Sequence, residues 1–446
     1  MTRHVRLLAE RTPPHRERYV DLIRALAITA VVVGHWLAVY VTRGGKGFQG
    51  GSILEVASWT RPLTWLFQVM PLFFLVGGYA NAMSYTSHLS RGGNVMGWVL
   101  GRTARLLRPT TMLLGGLAVA ALTATVLGAE PALVDVAVWL ASIPLWFLVA
   151  YIAVMVLTPP MYALHRRAGL AVPIILAVLV GGGDLARLVL KVPYVGQANY
   201  LLAWLAVHQL GFSWQDGRLP SRWSVALPMA AVGFVALVLL TVVGPYPVSM
   251  VGFGGEEIRN TSPPTLALLA LAVTQTGIAL CMRGPGNRWL QRPTPWTVVV
   301  GVNLVIMTLF LWHMTAVVIG VVVLYGTAVM PDAVPGSAPW LLLRVPWLVC
   351  LALILALLVA VFGRFEQRTG PRAAPMGTVK GMWPAVLTIA GVVTVLAGLL
   401  ALALAGRGYH GPVGLPVKVL VAYFCGVAVL GFVRWRYSHP ARERSG

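Results

Sequence analysis

Residues 19–36 read YVDLIRALAITAVVVGHW, an almost unbroken apolar run that holds three ionisable side chains, Asp21, Arg24 and His35. The run is long enough for a membrane-spanning helix, in which ionisable groups are costly and commonly functional. Arg24 and His35 are eleven residues apart, which at about 100° per residue is three turns plus roughly 20°. Both side chains therefore leave one helix face, about 16 Å apart along the axis. Asp21 lies within about 60° of the same stripe.

The composition excludes a water-soluble fold. The chain has 446 residues, of which 58% are hydrophobic and 11% charged, and its mean hydropathy is +0.79. Soluble domains carry about 25% charged residues. Uncharged runs of span length recur along the chain, without the alternating pattern of a transmembrane barrel. The sequence therefore predicts an all-α, polytopic bundle of about 10–12 transmembrane helices.

Twelve apolar runs are candidate spans, and the two least apolar of them are the fifth and the sixth. They lie near residues 19–41, 63–86, 109–128, 136–158, 171–190, 195–213, 224–243, 264–282, 297–325, 341–362, 383–405 and 413–434.

The distribution of charge predicts the orientation. A net charge of +21 would suggest a nucleic-acid partner in a soluble protein, but cytoplasmic loops of membrane proteins are also rich in Lys and Arg. With the N-terminus inside, the inside segments hold about three times as many Lys and Arg as the outside loops. We therefore expect both termini in the cytoplasm, a bilayer of the cytoplasmic membrane as the partner, and no nucleic acid. Cys281, Cys350 and Cys425 lack metal-ligand spacing, so we expect no metal site.

His35 is the first candidate catalytic residue. A histidine titrates near neutral pH and can act as a general base toward a hydroxyl. Alternatively, His35 is a core residue that is hydrogen-bonded to a neighbouring helix. Arg24 has an alternative role as well, because Asp21 at i,i+3 spacing could pair with it to permit membrane insertion.

Arg102 and Arg105 form a second candidate site. They lie on one helix face just before a predicted span, while Trp98 and Leu106 suit an apolar face. Two guanidinium groups at a membrane surface are suited to phosphate. From spacing alone, an interfacial helix that meets anionic lipid headgroups is the more common situation.

Other polar residues stand in apolar stretches. Asn81 follows a bend at Pro71 and the pair Gly77-Gly78, which predicts close helix packing. Trp146 lies in an aromatic cluster, and His313 ends the run Phe310-Leu-Trp-His. Glu256 and Glu257 belong to a loop that we expect to be solvated.

These motifs together resemble the signatures of the membrane-bound acyltransferase-3 family over residues 18–365. The resembling stretches are Arg24-x10-His35 in the setting Asp21-x-x-Arg24-Ala-x-Ala27, Arg102-x-x-Arg105, Met70-Pro-Leu-Phe-Phe-Leu-Val-Gly-Gly-Tyr79 and, more weakly, Trp146-Phe-Leu and Phe310-Leu-Trp-His313. One departure is Val76 before Gly77, where the family usually has serine.

The resemblance implies transfer of an acyl group, commonly acetyl, from acyl-coenzyme A to a hydroxyl of a sugar, an envelope glycan or a natural product. Acyl-coenzyme A would be a co-substrate, and no bound cofactor is implied. His35 would be the catalytic histidine, Arg24, Arg102 and Arg105 would hold the donor, and possible supporting residues are Asp21, Asn81, Trp146 and His313. Direct attack on the thioester and an acyl-histidine intermediate both fit.

The resemblance also implies a domain organisation. A basic cytoplasmic tail (1–18) precedes the acyltransferase-3-like membrane domain (19–365), and additional transmembrane helices (366–437) and a short tail (438–446) follow it.

Two other functions are compatible with the sequence. Broken, glycine- and proline-interrupted spans with buried His and Asp suit a proton-coupled secondary transporter or flippase, although inverted repeats are not visible. An inactive protein that organises a biosynthetic complex is the third hypothesis.

Overall fold

The apolar runs fold as helices because a helix satisfies its own backbone hydrogen bonds where water is absent. The computed structural model describes residues 2–13, 16–44, 47–367, 381–405 and 416–438. In chain order its helices are α1 (Thr2–Glu10), α2 (Arg18–Ala38), α3 (Ile53–Val56), α4 (Thr64–Phe67), α5 (Met70–Ser90), α6 (Val95–Val126), α7 (Pro131–Ser142), α8 (Leu145–Val156), α9 (Thr158–Ala168), α10 (Ala171–Leu188), α11 (Asn199–Gln215), α12 (Trp223–Val238), α13 (Leu266–Trp289), α14 (Pro293–Leu304), α15 (Ile306–Val321), α16 (Ala338–Gln367), α17 (Met382–Leu404) and α18 (Val417–Ser438). The strands are β1 (Val39–Gly44) and β2 (Gly47–Ser52).

Short turns of other helix types adjoin four of these helices. The 3₁₀ turns Ser58–Leu63 and Val195–Ala198 precede α4 and α11, and the π-helical turns Leu239–Val243 and Val322–Gly326 extend α12 and α15.

Eleven of the described helical segments are long and apolar enough to cross a membrane. The prediction of an all-α polytopic protein with about 10–12 spans is thereby confirmed. Large apolar side chains on α16 are exposed, with Leu342 75%, Leu353 68% and Leu357 67% accessible. Such a surface is suited to contact with lipid.

α11, the predicted sixth span, has 17 residues and is not among the eleven. Two contacts within the chain nevertheless indicate that it crosses. Glu17 before α2 binds Arg283 near the end of α13 at 2.6 Å, and the Trp347 Nε1–H of α16 donates to the carbonyl of Trp36 near the end of α2 (3.0 Å). Seven of the eleven segments separate the two ends of each contact. Seven crossings would put the two residues of each contact on opposite sides of the membrane, where they could not touch. We therefore count α11 as the eighth crossing between them in both cases.

The crossing of α11 predicts opposite labelling on its two sides. In a background without Cys281, Cys350 and Cys425, Val192→Cys before α11 should react with an impermeant maleimide on intact cells. Arg222→Cys after α11 should react only in permeabilised cells, because the charge distribution predicts a cytoplasmic N-terminus and, with α11 crossing, this loop then lies on the same side. Equal labelling of both positions on intact cells would show that α11 does not cross.

The helices form two compact units that interleave along the chain. The first comprises Met1–Met83, Leu157–Ile306 and Pro331–Leu348, and the second comprises Ser84–Val156, Met307–Met330 and Val349–Gly446. In the first unit α5 and α11 approach closely, since a Cβ on Gly78 would clash with the His208 carbonyl oxygen. The predicted role of Gly78 in close packing is thereby explained. In the second unit the rings of Trp312 and Phe362 stack at 4.0 Å.

Two predicted spans end differently in the structure. The first helix stops at Ala38, where β-branched and aromatic residues begin strand β1, which pairs with β2 in antiparallel register from Val39↔Ser52 to Gly44↔Gly47. The predicted span 297–325 is divided into α14 and α15 at Val305. The Glu366 carboxylate accepts hydrogen bonds from the backbone amides of Met307 (3.0 Å) and Thr308 (2.8 Å) and so caps the start of α15.

The predicted tails are only partly described. Within the N-terminal tail, residues 2–10 form α1, and Trp296 of α14 donates to the carbonyl of Ala9. Of the predicted tail 438–446, only Ser438 is among the described residues. Residues 368–380 and 406–415 of the predicted C-terminal segment also lie outside the described residues.

The second span is interrupted between α4 and α5, and Gln275 of α13 donates hydrogen bonds to backbone carbonyls at this break. Its Nε2 donates to the carbonyls of Trp65 (3.2 Å) and Gln68 (2.9 Å). The Gln68 side chain in turn donates to the carbonyl of Met250 at 3.0 Å. The break is therefore held by side chains in place of the helical bonds that it lacks.

Replacing Gln275 should destabilise the protein through these carbonyls. Gln275→Leu leaves two buried acceptors without a donor, and each costs about 1–3 kcal/mol. We therefore expect the purified Gln275→Leu protein to unfold at a lower temperature than wild type. Ile278→Ala, at a lipid-exposed position of the same helix, is the control and should unfold close to wild type.

Candidate functional site

The start of α2 carries a compact charged cluster. The two oxygens of buried Asp21 bind different arginines: Oδ1 lies 3.3 Å from Arg24 Nη1, and Oδ2 lies 2.6 Å from Arg16 Nε. The amide of Asn303 donates to the Asp21 carbonyl at 2.9 Å. The pairing of Arg24 with Asp21 is thus present, but one carboxylate serves two guanidinium groups and the cluster keeps a positive charge.

A second ion pair fastens the same helix end to α13. Glu17 receives hydrogen bonds from Arg283 (2.6 Å) and Asn287 (2.7 Å), and Arg18 donates to the carbonyl of Leu290 at 2.9 Å. The start of α2 therefore brings four arginines together with two carboxylates. Such an excess of guanidinium groups is suited to an anion.

His35 lies at the opposite end of the same helix. It occupies the last turn of α2 and is half-buried, and its carbonyl accepts the backbone N–H of Val39. Gly34 lies against the ring of Phe67, since a Cβ at this glycine would be 3.0 Å from Phe67 Cδ1. Because α2 is continuous from Arg18 to Ala38, Arg24 and His35 share one face, as the spacing predicted.

Arg344 is a buried cation beside that end of α2. Its Nη1 donates to the carbonyl of Val39 at 3.0 Å, and its Cζ lies 4.1 Å from the ring of Trp340 and 5.3 Å from that of Trp347. The side chain is stabilised by cation–π contacts, although only 5% of the residue is exposed. The sequence motifs did not single out this residue. The tryptophans at i−4 and i+3 were a signal that could have marked it.

Asn81 meets a partner that the sequence did not predict. Its Nδ2 lies 3.1 Å from Nε2 of His208 on α11, and both residues are buried. The His208 ring also packs edge-on against Phe212, with centroids 4.7 Å apart. A buried polar pair of this kind joins α5 to α11 in the unit that holds His35.

Arg102 and Arg105 lie near the start of α6, which is one continuous helix of 32 residues rather than a separate interfacial helix. The Arg102 guanidinium lies over the ring of Trp98 at 5.8 Å, and Trp98 Nε1 donates to Ser84 Oγ at 3.0 Å. Arg105 is exposed one turn later. The apolar packing predicted for Trp98 is confirmed, since the ring is buried.

The weaker motifs meet in an aromatic cluster of the second unit. The Phe147 ring contacts Trp146 at 6.5 Å and Phe310 at 5.2 Å. His313 lies on α15 with Phe310, and its Nδ1–H donates to the Phe310 carbonyl at 2.6 Å. This bond determines the tautomer of His313.

The predicted site residues thus fall into two groups. Asp21, Arg24, His35 and Asn81 belong to the first unit, whereas Arg102, Arg105, Trp146 and His313 belong to the second. Within the first group three residues share α2, and within the second Trp146 and His313 meet through Phe147 and Phe310.

The first unit also has a cavity of about 330 Å³ under the loop that follows α12. Polar residues in its lining include Ser58, Arg61, Ser249 and Glu256. Burial raises the pKa of the Glu256 carboxyl, against the opposing effects of the Phe253 amide and of nearby arginines. The expectation of a solvated loop is wrong for Glu256, which is half-buried, while Glu257 is exposed.

Comparison with known protein families matches residues 17–365 to the family Acyl_transf_3, described as an acyltransferase domain. The chain belongs to the acyltransferase-3 family. Neither the curated proteins nor the solved structures include a match to it. The matched residues cover most of the chain, from the start of α2 to the end of α16. This acyltransferase-3 protein is therefore a membrane acyltransferase that uses an acyl donor and an acceptor, and its helices α17 and α18 lie beyond the matched region.

Removing the shared carboxylate should destabilise the cluster at the start of α2. Asp21→Asn leaves Arg16 and Arg24 without their counter-charge. Since both guanidinium groups are partly exposed, we expect a loss of about 1–3 kcal/mol in thermal unfolding, below that of a fully buried pair. Glu10→Gln, which breaks the exposed pair with Arg6, is the matched control and should change stability by less than about 1 kcal/mol. Equal effects of the two substitutions would contradict the special role of Asp21.

Proposed function

We propose that this acyltransferase transfers an acyl group, in the first instance acetyl, from cytoplasmic acyl-coenzyme A to a hydroxyl group. The acceptor is a sugar, an envelope glycan or a natural product, and the enzyme acts in the cytoplasmic membrane. The observation that carries the proposal is the single helix α2, with Arg24 in a positive cluster at one end and His35 on the same face in its last turn. The family membership supplies the reaction class.

Arg24 is suited to hold the donor. Coenzyme A carries a diphosphate and a further phosphate, which guanidinium groups bind through charge-assisted hydrogen bonds. The cluster of Arg16, Arg18, Arg24 and Arg283 exceeds its two carboxylates in charge. Arg102 and Arg105 are proposed as further donor-binding residues, on the family resemblance of their motif.

His35 is proposed as the general base. The acceptor oxygen attacks the thioester carbonyl while its proton passes to the imidazole, and the carbon–sulfur bond breaks. The imidazolium then returns the proton to the coenzyme A thiolate, so that the products are an ester and a free thiol. Attack by His35 itself, followed by transfer from an acyl-imidazole, gives the same products.

The competing hypothesis of a proton-coupled transporter has weaker support. Asp184, the most prominent buried acid, accepts hydrogen bonds from Tyr246 (2.9 Å), the Leu266 amide (2.9 Å) and Asn199 (3.1 Å), and it pairs with Arg187 at 3.5 Å. A carboxylate that is satisfied from all these directions is suited to fastening helices. A proton relay requires a group that changes partners.

The test is release of coenzyme A by the purified protein with acetyl-coenzyme A and candidate acceptors. His35→Ala should lower the acceptor-dependent rate by about 100-fold or more, because a general base contributes about 10²–10⁴-fold. His88→Ala is the matched control, since His88 lies near the end of α5 with its ring 3.1 Å from the Asn94 carbonyl, and it should retain most of the rate.

Full acceptor-dependent turnover by His35→Ala would refute the role of His35. Mass spectrometry of envelope glycans and secreted metabolites, with and without the gene, identifies the acceptor through a mass difference of one acyl unit. Flux of substrate across proteoliposomes without an acyl donor would instead support the transporter.

A further inference from the structure

The helices beyond the family match pack against the helix that carries Arg102 and Arg105. The hydroxyl of Tyr423 on α18 lies 3.0 Å from Thr111 Oγ1 on α6 and donates to the Leu107 carbonyl at 3.4 Å. Tyr423 is fully buried. α18 is therefore an integral part of the second unit and fixed in position relative to α6.

This packing brings a further arginine to α6. Arg434 follows Tyr423 by eleven residues, so it leaves the same face of α18 about 16 Å further along. Arg108 and Arg105 precede Thr111 by three and six residues on α6. The positive charges of Arg108 and Arg105 act on the Arg434 guanidinium, so the three side chains lie on the same side of the Tyr423 contact.

In the part of the chain that the structure describes, the three guanidinium groups have no paired carboxylate as a counter-charge. Over residues 2–13, 16–44, 47–367, 381–405 and 416–438, no carboxylate pairs with Arg105, Arg108 or Arg434. Arg105 and Arg108 are exposed and Arg434 is half-buried. The cluster at Asp21 is neutralised in part by carboxylates, whereas this one concentrates like charges. An external anion with several charged oxygens would relieve their repulsion.

We propose that Arg105, Arg108 and Arg434 form one binding site for the phosphate groups of the acyl donor, and that α17 and α18 serve to place Arg434 in it. The inference rests on the proposed use of acyl-coenzyme A and adds two residues, Arg108 and Arg434, to donor binding. Arg434 is a binding residue that lies outside the region shared with the family. Anionic lipid headgroups present the same chemistry, so the test must separate the two sources.

The test is titration of the purified protein, in nanodiscs of neutral lipid, with coenzyme A and with inorganic pyrophosphate. Arg434→Gln should weaken coenzyme A binding about tenfold, and Arg434→Lys should restore part of the affinity. Arg436→Gln is the matched control, because it removes the same charge two residues later from an exposed position about 200° around the helix. It should bind coenzyme A within about twofold of wild type. Binding of S-acetylpantetheine, a donor fragment without the phosphates, should not respond to Arg434→Gln.

Equal coenzyme A affinity for wild type, Arg434→Gln and Arg436→Gln would overturn the proposal. So would loss of co-purifying anionic lipid in Arg434→Gln with unchanged coenzyme A affinity, since this would assign the cluster to headgroups. The pyrophosphate titration keeps the test separate from the proposed function. If the wild type bound pyrophosphate through Arg434 yet failed to turn over acetyl-coenzyme A, the phosphate site would stand and the donor would be another phosphorylated compound.

Discussion

The absence of water from the bilayer core is the constraint on which the rest of this structure depends. Every backbone group or charge that a helix does not satisfy must find a partner within the protein. Gln275 donates hydrogen bonds to carbonyls at the break in the second span, and the Asp184 carboxylate accepts hydrogen bonds from its neighbours. Arg344 is accommodated by two tryptophan rings and a carbonyl at the end of α2. The polar groups of the spans are therefore parts of an internal framework.

The same constraint explains why α2 can carry reactive groups. Its start is fixed by the ion pairs of Asp21 and Glu17, and its end by the hydrogen bonds from Arg344 and Trp347. A helix held at both ends keeps its side chains at constant separation. Arg24 and His35 are thus positioned by a rigid element, which is what the proposed recognition of a donor at one end and the proposed proton transfer at the other require.

The C-terminal helices extend this arrangement beyond the family domain. The packing of Tyr423 on α6 and the position of Arg434 relate α18 to the second group of arginines. The two clusters differ in electrostatic character. Carboxylates share the charge at the start of α2, whereas no carboxylate of the described residues pairs with Arg105, Arg108 or Arg434. For this reason we propose that the cluster at Arg105 binds a ligand, whereas the ion pairs at Asp21 contribute in part to stability.

The sequence by itself determined the features that depend on local periodicity. The number of apolar runs predicted the spans, and helix geometry predicted the common face of Arg24 and His35 and the ion pair with Asp21 three residues away. Only the tertiary structure decided the partners that are distant in the chain. Asn81 and His208 are 127 residues apart, and Arg344 lies 305 residues from Val39. The division of the predicted span at Val305 likewise depends on Glu366, 58 residues from Thr308. Helical periodicity extends over a few turns, whereas such contacts are selected by the packing of whole helices against one another.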